Sequence, residues 1–212
     1  MKKPTKQIKL KMLEQLAAAY PDAKPALKFN SPFQLLVAVL LSAQCTDERV
    51  NIVTEELFKV APDAKAMAEL GEDKIREYIK SCGLYQNKAK NIAALSRILT
   101  ENYEGEVPSE RGSLEALPGI GRKSANVVMS VAFDIPALAV DTHVFRVSRR
   151  MGFSQKDDVR GVEEDLMKLI PKEDWCKAHH WLIFHGRRCC AARKPQCSIC
   201  PVAEYCPSAE IS

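Results

Sequence analysis

The sequence predicts an all-α protein. Apolar residues recur at the spacing of one helix face along nearly the whole chain. Prolines and glycines stand where those runs stop. No segment of the 212 residues alternates with the period of two that a half-buried strand requires.

The elements follow in order. Ile8, Met12, Leu13, Leu16 and Tyr20 mark a first amphipathic helix, ended by Pro21. Ser31 and Pro32 form an N-cap and first-turn pair that opens a second helix, "FQLLVAVLLSA". That helix is apolar on all sides, so it belongs at the buried centre of a helical domain. "DERVNIVTEELFKV" gives a third helix, stopped by Pro62. "DKIREYIKSC" gives another, with Gly83 as its terminating glycine. "NKAKNIAALSRILTENY" runs to Gly105, and "SLEAL" forms a short helix. "LPGIGRKSANVV" follows, and after the turn at "DIP" come "THVFRVSRRM", "VRGVEEDLMKLI" and "WCKAHHWLIFHGRR". Residues 189–211 change character, with five cysteines, three prolines and little periodicity. Such a segment cannot fold on a hydrophobic core and requires a covalent or metal staple.

Apolar residues make up 46% of the chain and charged residues 27%, enough for one large domain or two small ones. The net charge of +4 permits a polyanionic partner. The basic start "MKKPTKQIKLKML" has no apolar stretch behind it of the kind a signal peptide carries. The longest apolar run, Phe33 to Ala43, is too short and too polar to cross a bilayer. These features predict a cytosolic protein without a membrane partner. Its eight cysteines are therefore read as thiols or metal ligands before disulfides.

In "LPGIGRKSANVV", Gly119 and Gly121 flank Ile120 in a tight turn between two helices. Glycine permits positive φ and close approach by another backbone. Ile120 plugs the gap between the helices. The second helix starts near Arg122 or Lys123, so its free amide groups point out of the turn towards an incoming phosphate. The pattern resembles the helix-hairpin-helix motif, which grips DNA backbone without reading sequence; an ordinary αα-hairpin is the plain alternative. Lys123 is a phosphate contact, a solvated helix residue or an amine nucleophile able to form a Schiff base with a sugar C1′.

"AVDTHVFRVSRR" bears on that choice. Asp141 caps the helix beginning at Thr142, with Arg146, Arg149 and Arg150 towards the other end. A carboxylate aimed by helix amides can also stabilise positive charge on a deoxyribose ring as a base departs. His143 beside it reads as a packing or hydrogen-bonding group.

Cys190, Cys197, Cys200 and Cys206 read C-x6-C-x2-C-x5-C. Four thiols this close argue for a metal centre, and zinc and a [4Fe–4S] cluster both accept them. Cys189 competes with Cys190 for the first ligand position, and spacing leaves that choice open. Arg187, Arg188, Arg193 and Lys194 surround the first ligands, with no acid from His185 through Cys200. A cationic loop tethered by a metal makes a rigid phosphate ligand. Cys45, Cys82 and Cys176 sit alone in helical patterns and read as small buried hydrophobes.

Hairpin, lysine, "VDTH", "HHWLIFHGR" and the cysteine pattern occur in one order, and together they resemble the endonuclease III family. These are DNA glycosylases and AP lyases with a helix-hairpin-helix motif. The resemblance covers essentially the whole chain, from "SPFQLLVAVLLSAQCTD" to Cys206. It implies Lys123 as nucleophile, Asp141 as catalytic carboxylate, and a [4Fe–4S] cluster on Cys190, Cys197, Cys200 and Cys206. It implies a barrel of six helices over residues 22–133, with the hairpin motif at about 113–133. A second domain of residues 1–21 and 134–212 carries the cluster, and the DNA cleft lies between the two. Gln44 and Leu84 are implied to fill the duplex when a nucleotide leaves it, and Asp47 to line the pocket. Gly119, Ile120, Gly121, Arg122, Arg187, Arg193 and Lys194 are the expected DNA contacts.

The expected activity is excision of oxidised or saturated pyrimidines from duplex DNA, then strand cleavage 3′ to the abasic site by β-elimination. The expected form is a monomer of the bacterial cytosol or nucleoid. Alternatives are a glycosylase of the same fold for another lesion, such as a pyrimidine dimer or mismatch, and a non-catalytic DNA-binding protein. Relatives that remove adenine from mismatches usually lack a lysine at position 123 and carry a longer C-terminal region.

Overall fold

A computed structural model of the chain describes residues 3–210. Among them are ten α-helices and no strand. They are α1 (Lys6–Ala19), α2 (Pro32–Leu41), α3 (Asp47–Val60), α4 (Ala64–Ile79), α5 (Tyr85–Asn102), α6 (Arg111–Glu115), α7 (Arg122–Ala132), α8 (Thr142–Arg150), α9 (Val159–Leu169) and α10 (Trp175–Arg188). Single 3-10 turns lie at Lys172–Asp174 and Cys197–Ile199.

Short polar side chains set most of the helix starts. Thr5, Ser31, Thr46, Asp63, Asp141 and Asp158 each accept a hydrogen bond from the amide three residues on. Pro32 occupies the first turn of α2, where its missing N–H costs nothing.

The chain divides into two compact units, Pro25–Ile135 and the remainder of the chain on either side of it. The Pro25–Ile135 unit is organised on α2, which packs against α3, α5 and α7. Every residue of α2 from Phe33 to Leu41 is buried, as its all-round apolar sequence requires. The buried Gln34 is satisfied: its Oε1 accepts from Asn30 N and its Nε2 donates to the Pro62 carbonyl. Leu57, Met67, Ile75, Ile79, Ile92 and Leu99 complete the interior.

Two boundaries differ from the sequence reading. α4 begins at Ala64 and contains a break at Gly71 (φ 79°, ψ 162°), where the reading began a helix only at Asp73. The piece over residues 64–70 buries only Ala64 and Met67, too little apolar pattern to stand out. Gly83 is not a left-handed terminator. The left-handed residue is Leu84 (φ 57°), and α5 starts directly after it.

The other unit packs α1, α8, α9 and α10 together. Its core holds Met12, Leu13 and Leu16 from α1, Val144 and Val147 from α8, Val162 and Leu166 from α9, and Ala178 and Leu182 from α10. Among the described residues, Val202 is the single fully buried residue that the cysteine loop adds to this core. No described helix is long and apolar enough to cross a membrane.

Within α10, burial pushes the His180 imidazole down to about 3, and the adjacent His179 adds to the effect. Its Nε2 is buried without a hydrogen-bond partner. The folded value lies below the ordinary 6.5, so below pH 6.5 the unfolded chain binds the extra proton. The contribution is complete above that value and is lost as the pH falls towards 3. Melting temperature should therefore decline from about pH 6.5 to about pH 4. His180→Leu should flatten that slope in the same thermal scans.

Candidate active site and metal centre

The hairpin lies between α6 and α7. Leu117 accepts from the Ile120 amide (3.1 Å), and Ile120 is buried beneath the turn. Gly119 has φ 80°, and a Cβ there would lie 2.7 Å from Asn91 Nδ2 of α5. Turn geometry and packing both demand glycine at this position. Gly121 differs: its backbone is extended (φ −98°, ψ 176°) and a Cβ would meet nothing within 4 Å. The protein's own packing does not require a glycine there, contrary to the sequence reading. The bare Cα leaves the start of α7 open, and no side chain caps its first amides. Arg122 approaches Glu115 at 4.0 Å. Lys123, in the first turn of α7, is exposed and has no ion pair or hydrogen bond among the described residues.

Asp141 precedes α8, and its Oδ1 accepts from Val144 N at 2.8 Å. This holds one carboxylate oxygen fixed while the side chain stays half-buried. His143 Nδ1 lies 3.2 Å from the Arg146 guanidinium, a structural contact as the sequence suggested.

The far end of α8 holds the cysteine loop. Arg146 donates to the Gly186 carbonyl (2.9 Å) and to the Cys190 carbonyl (3.1 Å). Arg150 donates to the carbonyls of Ala191 (2.6 Å) and Ala192 (2.9 Å), and lies 3.5 Å from Cys190 Sγ. One helix thus carries Asp141 at its start and anchors the loop from its last turns.

Cys190, Cys197, Cys200 and Cys206 all line one cavity of about 240 Å³. A single zinc ion would draw four sulfurs to within about 3.8 Å of one another. Among the described residues, the one trio of potential ligand atoms within 4.8 Å of each other is His185, Cys189 and Cys200. The quartet is therefore spread around a space suited to a multi-atom cluster rather than one ion.

Cys189 lines the same cavity. Its Sγ faces the Gln196 carbonyl at 3.5 Å, and burial, with the neighbouring thiols, pushes it up to about 12. His185 is pushed down to about 4 by burial, and its Nδ1 shares a 2.9 Å hydrogen bond with the Tyr20 hydroxyl. Burial also raises Cys200 and Cys206, opposed by hydrogen bonds from the Val202 and Ser208 backbones. Arg187, Arg193 and Lys194 are exposed around this loop. Arg188 is engaged: it pairs with Asp22 at 3.0 Å and stacks on Phe184.

Two exposed turns stand on the Pro25–Ile135 unit. Gln44 (φ 53°) follows α2, and Leu84 (φ 57°) precedes α5. Each is a non-glycine residue in the left-handed region, at a cost of about 1 kcal/mol or more. Leu84 is 56% exposed. The turns touch: a Cβ on Gly83 would lie 3.0 Å from the Gln44 carbonyl. Behind them Cys82 is buried and Cys45 half-buried. Burial first, and then the neighbouring Cys45 thiol, push Cys82 up to about 11. Asp47 is the first residue of α3 and is half-buried. Lys88, which sequence reasoning passed over, is buried with its ammonium on the carbonyls of Leu41 and Ala43.

Residues 37–172 match the HhH-GPD superfamily of base excision DNA repair proteins, and residues 190–206 match the iron–sulfur binding domain of endonuclease III. Endonuclease III of Escherichia coli K12 is 50% identical over 198 residues, 93% of this chain and 94% of the relative. That of Bacillus subtilis is 50% identical over 195 residues, 92% and 89% of the two chains. The chain belongs to the endonuclease III family.

Among solved members of that family, a trapped covalent intermediate of endonuclease III with DNA matches with a TM-score of 0.93 at 50% identity, over 97% of both chains. A non-covalent endonuclease III–DNA complex matches equally well, at 49% identity over 97% of this chain and 96% of the other. The endonuclease III iron–sulfur match starts at Cys190 and ends at Cys206, leaving Cys189 outside it. This member of the endonuclease III family accordingly carries a [4Fe–4S] cluster, and the donor set and cavity described above fit it.

Removing the Arg150 side chain by Arg150→Ala strips two loop carbonyls of their donor. It should cost on the order of 1–3 kcal/mol and speed cluster loss, read from iron content and visible absorbance over time. Gly119→Ala should cost about 1–3 kcal/mol in denaturant unfolding, whereas Gly121→Ala should leave the midpoint unchanged.

Proposed function

We propose that Lys123 and Asp141 are the catalytic pair with which this bifunctional DNA glycosylase and AP lyase acts in base excision repair. The observation that carries the reading is the hairpin: an uncapped helix start beside a bare glycine, with an unpartnered lysine one residue into the helix. Such a start receives a phosphate, and the amine beside it is free to meet the sugar of the same strand.

Damaged pyrimidines of duplex DNA are the substrates. The amides of α7, with Gly119, Ile120, Gly121 and Arg122, grip the backbone without reading sequence. Arg187, Arg193 and Lys194 add cationic contacts, and affinity falls steeply with salt. The damaged nucleotide leaves the stack at a cost of a few kcal/mol, least for a base already poorly stacked. Gln44 and Leu84 enter the vacancy, and Asp47 lines the pocket.

The Lys123 amine then attacks C1′, and the base departs with its bonding pair and takes up a proton. Asp141 keeps its ionised carboxylate turned to the positive charge that develops on the sugar. The C1′–O4′ bond then opens, with O4′ taking up a proton, and the Schiff base so formed makes the C2′ proton acidic. Its loss expels the 3′ phosphate by β-elimination, and water releases the lysine.

Cys190, Cys197, Cys200 and Cys206 hold the [4Fe–4S] cluster, and Cys189 does not. When bound, the cluster supplies a rigid cross-link for the basic loop. We place the protein in the bacterial cytosol or nucleoid.

Borohydride added with a damaged duplex should trap a covalent adduct that disappears in Lys123→Ala; an undiminished adduct would refute the assignment. Asp141→Asn should slow base release while largely sparing binding, and equal loss of both would leave Asp141 only its capping role. Gly121→Ala, though stable, should weaken duplex binding in salt titrations, because its methyl stands where the phosphate approaches.

A further inference from the structure

Lys88 lies on α5, one turn beyond Leu84, and is only 4% exposed. A buried lysine normally pairs with a carboxylate. This one has no ion pair among the described residues. Its Nζ donates instead to two backbone carbonyls, Leu41 at 2.8 Å and Ala43 at 2.6 Å. The first closes α2, and the second belongs to the peptide that joins Ala43 to Gln44. A compact ammonium with three donors suits a helix end, where carbonyls lack partners and the dipole is negative. The same residue's amide donates to the Leu84 carbonyl at 3.1 Å. One residue therefore ties down both exposed left-handed turns, from its side chain on one and its backbone on the other. Gly83 completes the arrangement, since its missing Cβ lets the second turn rest on the Gln44 carbonyl.

Both turns hold conformations that an isolated chain would leave. They persist because the surroundings fix them, and Lys88 is the polar group doing so. We propose that Lys88 is a positioning residue for base eviction: it clamps the Gln44 turn against the Leu84 turn so that both side chains enter the duplex together. Lys88 itself touches no DNA. The inference rests on the roles assigned to Gln44 and Leu84 above. It predicts a selective defect, because a preformed abasic site offers no base to evict.

The test uses the full chain with its cluster. Single-turnover release of thymine glycol from a duplex is compared with strand cleavage at a preformed abasic site. In Lys88→Met the ratio of the first rate to the second should fall about tenfold, the equivalent of one lost buried hydrogen bond. The fluorescence rise of 2-aminopurine opposite the lesion, which reports unstacking, should be lost. In the Gln44→Ala, Leu84→Ala double variant, adding Lys88→Met should lower the ratio no further, because both side chains it positions are already gone.

An unchanged ratio, or effects that multiply in the triple variant, would overturn the proposal. So would parallel loss of both rates, which describes a merely structural lysine. If Lys88→Met does not fold, Lys88→Arg, which keeps a cation but not the compact ammonium, should show the same selective loss, and an unchanged ratio there overturns the proposal equally. Absence of any borohydride adduct in the unmodified chain would sink the Lys123 assignment instead, so the two failures are distinguishable.

Discussion

α2 has no polar face to turn to water, and that constraint organises the unit around it. α3, α5 and α7 must cover it, and they do. Two of the covering helices bring candidate site residues with them. α7 brings the hairpin and Lys123; α5 brings Leu84 and Lys88; α2 itself ends at the Gln44 turn. The burial that stabilises the unit also decides where these ends stand.

The chemistry gathers at helix ends for a shared reason. The first amides and last carbonyls of a helix have no partners inside it. In most of this chain a serine, threonine or aspartate supplies the missing group. At α7 it does not, and the open amides are available to a phosphate. At α8 the cap is an aspartate, so the group that ends the helix is also an aimed carboxylate. At the end of α2 the carbonyls are taken by a buried ammonium from another helix. Anion, cation and sugar chemistry all draw on the same unpaired backbone groups.

The cysteine loop is stabilised differently. Val202 is its one fully buried contribution to the hydrophobic core beside it, so apolar burial alone does not hold it. Two arginines of α8 pin its carbonyls, and a cluster would supply the remaining cross-link. α8 carries Asp141 at its start and anchors this loop from its last turns.

Most of the helix starts, the buried character of α2 and the Asp141 cap were legible in the sequence. Each is a local property: capping needs one side chain and the next three amides, and a helix apolar on all sides has no face for water. Lys88 was not legible as a clamp, although it lies on the same stripe as Ile92, Leu95 and Leu99, because its partners are backbone atoms nearly fifty residues away. The pairing of Arg188 with Asp22 and the proximity of Cys45 to Cys82 were hidden for the same reason. The sequence by itself determined which segments are helices and which residue types could do the chemistry, since those follow from neighbours along the chain. Only the tertiary structure decided which glycine is sterically required and which lysine is buried, because those depend on what distant segments bring alongside.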